Sequence, residues 1–77
     1  MRNYYLESVG DEVVKKLTRM RKAKSISHEK LSQKAGISRA GLSLIENGHR
    51  KPSLLMTLKI AHALDMKLWE VLKKIEK

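Results

Sequence analysis

The sequence predicts an all-α protein, a compact bundle of five helices in one domain over residues 1–77. Three observations lead there. Apolar residues recur at about 3.6-residue spacing and nowhere alternate strictly, which excludes a credible strand. Glycine and proline, at Gly36, Gly48 and Pro52, cut that pattern into short pieces. A chain of 77 residues also buries only about 60 to 65% of its unfolded surface, enough for one core and leaving no room for a separate effector-binding domain.

Taken in order, residues 1–7 read as a leading arm, and the first helix is expected to begin at Ser8, capped there with Asp11 three positions on. Its apolar stripe is Val9, Val13, Leu17 and Met20, with Lys15, Lys16, Arg19, Lys22 and Lys24 facing away. A second, short helix follows the cap Ser27, carries Glu29 in its first turn and stops at Gly36. The pattern restarts at once with Ser38 as cap and Leu42 and Ile45 pointing inward, up to Asn47 and Gly48. Pro52 and Ser53 open a fourth helix whose inward set is read as Leu54, Leu58, Ile60, Ala61 and Leu64. The fifth, over about residues 67–77, buries Leu68, Val71, Leu72 and Ile75.

Composition narrows the function classes. The 17 Lys and Arg against 8 Asp and Glu give a net charge of +9, which favours a polyanion: nucleic acid, an anionic membrane surface or an acidic protein. The absence of cysteine removes disulfides and thiolate metal sites, and fits a reducing cytoplasm. No stretch approaches the roughly 18 apolar residues of a membrane span, and MRNYYLESVGDE has polar and acidic residues where a signal peptide would be apolar, so a cytoplasmic location is expected. The basic residues are spread over several short helices instead of opposing one long apolar face, which argues against a membrane-surface peptide. No nucleophile–base–acid trio or Gly-rich phosphate loop is present, and His28, His49 and His62 lack metal-ligand spacing. No enzyme, metal or cofactor is expected.

The stretch HEKLSQKAGISRAGLSLIEN, residues 28–47, resembles the helix-turn-helix of the phage repressor and Cro family of XRE-like DNA-binding proteins. Leu31, Ser32, Gly36, Leu42 and Ile45 stand at the family's positions for an apolar residue, a small one, the turn glycine and two branched apolar residues. The spacing has a physical reason: the two helices cross closely enough to require a small residue at Ser32, and the turn needs positive φ at Gly36. The likeness runs from about residue 13 to 72, including IENG at residues 45–48 and PSL at residues 52–54. It implies a lambda-repressor-like bundle with helices two and three as the DNA-binding pair. It also implies an ion pair between Arg21 and Glu46 that ties the first helix to the third.

With the third helix in the major groove, as the resemblance implies, the side opposite Leu42 and Ile45 becomes the reading face. Helical geometry places Arg39, Ala40, Ser43, Leu44 and Asn47 there. Arg39 suits a bidentate contact to guanine, Ala40 and Leu44 suit thymine methyls, and Ser43 donates or accepts weakly. Leu44 departs from the polar residue usual in the family. Phosphates are expected at the helix N-termini, with His28 and Ser38, and at Asn47, Arg50 and Lys51; His28 stands where many members have glutamine and would bind better protonated.

One recognition helix reads few base pairs, so a homodimer on a pseudo-palindromic operator is expected, through Leu55, Trp69, Leu72 and Ile75. By size the chain is close to restriction-modification controllers and small phage or mobile-element repressors. Two alternatives remain open: an antitoxin that binds both operator and toxin, or the same fold used as a protein-binding module. Leu55, Met56 and Trp69 keep them open, being apolar at positions usually polar or small in the family.

Overall fold

The computed structural model describes residues 4–75 as five α-helices: α1 (Tyr4–Ala23), α2 (His28–Ala35), α3 (Arg39–Glu46), α4 (Leu54–Ala63) and α5 (Leu68–Ile75). Helix α2 packs on α3 and α4, while α1 crosses the bundle to touch α3, α4 and α5. One cluster of buried side chains joins all five: Val13 and Leu17, Leu31 and Ala35, Leu42 and Ile45, Ile60, Ala61, Ala63 and Leu64, Leu68 and Val71. Leu31, Leu42, Leu64 and Val71 are its most enclosed members. Among the described residues no buried side-chain nitrogen or oxygen lacks a hydrogen-bond partner.

Two expectations need correction. Helix α1 begins at Tyr4, so residues 4–7 are helix and not arm, and Ser8 lies inside the helix instead of capping it. Nothing in Tyr4 to Glu7 breaks a helix, Glu7 in the first turn suits the positive end of the dipole, and Leu6 lines a cleft shared with Leu68 and Leu72 of α5. Residues 1–3 of that arm, and residues 76–77 of the expected C-terminal helix, lie outside the described residues. The second correction concerns α4: Leu54 and Leu58, read as inward, are 70% and 44% exposed. Ile60, Ala61 and Leu64 of the expected inward set are buried, and Ala63 joins them.

The connections share one grammar. Ser25, Gly36 and Asp65, which end α1, α2 and α4, have φ of 55°, 71° and 58°. In each case the next residue's N–H reaches back five positions, Ile26 to Arg21, Ile37 to Ser32 and Met66 to Ala61, which closes the last turn. Those same residues, Ile26, Ile37 and Met66, lay half-buried side chains on the core. Ser27, Ser38 and Ser53 then cap α2, α3 and α4, each hydroxyl accepting the N–H three residues on. A left-handed residue, an apolar anchor and a serine cap thus make both tight turns on either side of α2.

Candidate nucleic-acid interface

The α2–turn–α3 unit has one buried and one exposed side. Leu31 and Ser32 of α2 and Leu42 and Ile45 of α3 are buried against the rest of the bundle. Ser32 Oγ donates to Glu29 O at 2.8 Å, so the one polar side chain buried in this packing is satisfied within its own helix. The opposite side of α3 is open: Arg39, Ala40, Leu44 and Asn47 are exposed and Ser43 is half-buried. Asn47 Nδ2 donates to Ser43 Oγ at 3.3 Å, a weak tie that leaves both side chains free to exchange partners.

The first turns of α3 and α4 carry no acidic residue, and α3 begins on a cation. Helices α1, α2 and α5 each have a glutamate in the first turn, Glu7, Glu29 and Glu70, whereas α3 has no acidic residue there. Its first residue is Arg39. A second guanidinium arrives from the following loop, where the N–H groups of His49 and Arg50 both donate to Leu44 O, at 2.9 and 3.2 Å. This fold-back brings Arg50 Nη1 within 3.6 Å of where a Cβ on Gly41 would stand. Two cations therefore sit near the positive end of a helix dipole, a place suited to an anion, while Arg50 also lines a cleft with Glu7, Asp11 and Glu46. Gly41 has a role that sequence reasoning missed. A methyl group there would lie 2.8 Å from Ser38 Oγ, the capping atom, so a larger residue would make that hydroxyl shift.

Two of the residues expected to meet phosphates have contacts within the protein. His28 Nε2 lies 2.8 Å from Glu46 Oε1, so one ring nitrogen is turned to the protein. Lys51 Nζ stands 3.8 Å from Asp11 Oδ1, with both side chains well exposed, a contact that a phosphate would readily replace. Arg21 and Glu46 form a two-pronged pair, Nε to Oε2 at 2.7 Å and Nη2 to Oε1 at 2.9 Å, with side chains 11% and 8% exposed. Arg21 Nη1 also donates to Ile26 O at 2.7 Å, so the same guanidinium clips the α1–α2 turn. Burial alone would raise the Glu46 pKa, but hydrogen bonds from Arg21 and His28, and their charges, outweigh it and hold the carboxyl below its usual value. The share of His28 in this cluster carried no signal in the sequence, since the contact spans two helices.

On the other side of the bundle, Trp69 and Leu55 are 59% and 61% exposed. Leu72 and Ile75, expected both on the inward stripe of the fifth helix and at the interface, are half-buried against the protein's own core. Trp69 instead shares an open groove with Leu58 and Met66, which sequence reasoning had not placed there, and with Leu72. Among the described residues no cluster of His, Asp and Glu could hold a metal ion, and no helix is long and apolar enough to cross a membrane.

A sequence model described as helix-turn-helix matches residues 17–68. The chain is also similar to YgzD, an uncharacterized HTH-type transcriptional regulator of Bacillus subtilis (strain 168). The two are 39% identical over 56 residues, covering 73% of this chain and 85% of the relative.

Proposed function

This chain belongs to the helix-turn-helix family and is a DNA-binding transcriptional regulator, not an enzyme, and from that premise we propose that it acts as a homodimer on a pseudo-palindromic operator. One observation carries the site assignment: Arg39 begins α3, whose first turn has no acidic residue, and Arg50 reaches the same turn beside Gly41, the corner a duplex phosphate would fill. In this reading α3 lies in the major groove. Arg39 reads guanine, while Ala40, Ser43 and Leu44 meet neighbouring base edges. Ser38, Asn47, Arg50 and Lys51 set the register on the backbone, with His28 at the start of α2.

The need for a second copy follows from the same face. It holds one strong base reader, which is too little to discriminate among genomic sites. The partner surface in this reading is the apolar strip of Trp69, Leu55 and Leu58, with Leu72 and Ile75 as its half-buried floor. A two-fold axis there would set the recognition helices about 34 Å apart, one turn of the duplex. A second reading is favoured by the rim of the groove: Lys59, His62 and Lys67 surround Trp69 without a carboxylate, which would suit an acidic protein such as a toxin.

Operator selection from a random duplex pool, followed by titration at several salt concentrations, tests the DNA reading. The expected slope of log K against log salt is about −0.9 per phosphate neutralised. Arg39→Ala should cost about 1 to 3 kcal/mol on the selected site and less on random DNA, whereas Lys51→Ala should weaken both alike. Equal losses for Arg39→Ala on both would remove it from base readout.

A further inference from the structure

Resting on the DNA-binding surface proposed above, we propose that His28 is a proton-linked phosphate clamp whose tautomer is set by Glu46, so that binding a duplex draws a proton onto this ring. The argument begins with the carboxylate. Arg21 approaches it through Nε at 2.7 Å and Nη2 at 2.9 Å, and a guanidinium has no acceptor and does not deprotonate. Held that way, and with its pKa lowered, Glu46 is ionised and can only accept. The 2.8 Å contact from His28 Nε2 to Oε1 therefore requires the hydrogen on Nε2.

A neutral imidazole carries one N–H. With that hydrogen committed to Glu46, Nδ1 is left as a bare acceptor, which repels a phosphate oxygen. Only the imidazolium donates from both nitrogens, one to Glu46 and one outward. His28 is the first residue of α2, beside N–H groups that also suit a phosphate, and its side chain is 29% exposed, so an outside partner can reach it. The charges that bear on the ring are Glu46 from α3, Arg21 from α1 across the shared carboxylate, and Glu29 next to it on α2. Of these, Glu46 and Glu29 are acidic and Arg21 is basic. An arriving phosphate adds a further negative charge, so proton and phosphate assist each other's binding. Glu46 is a positioning residue in this scheme: it never meets the DNA, yet it decides which ring nitrogen can.

Because a phosphate contact does not depend on base sequence, a random-sequence duplex is a sufficient probe. Fluorescence anisotropy at constant ionic strength, from about pH 8.5 to pH 5.5, should show affinity rising as pH falls, by up to about tenfold per pH unit per protomer. His28→Gln, whose amide donates at every pH, should lose that dependence and keep the salt dependence; His49→Gln, which alters the other histidine near the DNA face, should keep both. In the wild type, the NMR titration midpoint of the His28 ring should move upward when duplex is added, a readout that holds even if His28→Gln fails to fold. A wild type that binds with ordinary salt dependence but no pH dependence, an undiminished pH dependence in His28→Gln, or an unmoved midpoint each overturns the clamp. Failure of the wild type to bind any duplex at any pH would instead remove the DNA reading, and the clamp with it.

Discussion

Helices α3 and α4 begin alike, on serine caps, and end up with opposite relations between sequence and burial. In α3, RAGLSLIE, polar residues and glycine separate the apolar ones, and Leu42 and Ile45 are buried while Leu44 stays out. In α4, LLMTLKIAHA, apolar residues occur on every side, and three large ones, Leu54, Leu55 and Leu58, remain exposed. Periodicity names the inner side of a helix only when a polar side stands against it. Where it does not, the neighbours choose. In α4 they chose Ile60, Ala61 and Ala63, and the two alanines let α2 and α5 come close. The leucines left over supply the exposed surface a partner could cover.

The sharpest test of the α3 side is its end. Glu46→Ala should destabilise by about 3 to 5 kcal/mol in chemical denaturation, since it strands Arg21 in a nearly dry site, and a double-mutant cycle with Arg21→Ala should show coupling of about 0.5 to 3 kcal/mol. Additive losses would mean that the pair does not act as one. The sign with pH follows from the lowered Glu46 pKa: the contribution is complete above the unfolded value of 4.5 and disappears as pH falls through the lower, folded value. Urea melts of Glu46→Gln should therefore lack the part of the acid-side loss that the wild type shows below that pH.

Next in size comes the direct contrast between the helices. Leu42→Ala, at a side chain with no exposure, should cost about 2 to 5 kcal/mol, whereas Leu54→Ala should change stability by no more than about 0.5 kcal/mol. Similar losses at both would show that α4 is not oriented as described. Replacing Leu58 and Trp69 by polar residues should leave the melting temperature of a dilute sample nearly unchanged and abolish self-association in sedimentation; a variant that dimerises like the wild type would move the interface elsewhere. The smallest effects are at the backbone. Ser25→Gly relieves a positive φ, and Gly10→Ala puts a methyl into open space within α1, so thermal melts should show each as a gain of up to about 1 kcal/mol. A loss at Ser25 would mean that its left-handed conformation is not kept in solution.

Much of the candidate site was legible from local chemistry alone. Ser27, Ser38 and Ser53 cap because a serine before an apolar-periodic stretch has few better conformations, and Gly36 ends α2 because φ of 71° costs glycine least. Arg39, Ala40 and Leu44 lie opposite Leu42 and Ile45 because helical pitch leaves no other arrangement. These are properties of a few neighbouring residues, and sequence by itself determined them.

What only the tertiary structure decided involves residues distant in the chain. Ser25 and Asp65 adopt the same left-handed turn as Gly36 without glycine's freedom, because the core captures Ile26 and Met66 just after them. The start of α1 moved to Tyr4, where Leu6 can line a cleft with α5, although Ser8 offered a good local cap. His28 turned inward because the carboxylate of Glu46, 18 residues on, was already held there by Arg21. Capping, pitch and glycine turns are energies of about 1 kcal/mol fixed within one or two turns of chain. The burial of a leucine or the pairing of a desolvated charge is worth several times that, and depends on which helices meet. Where the two scales agree, at α2 and α3, the chain can be read directly; where they compete, at α1 and α4, the larger one prevails.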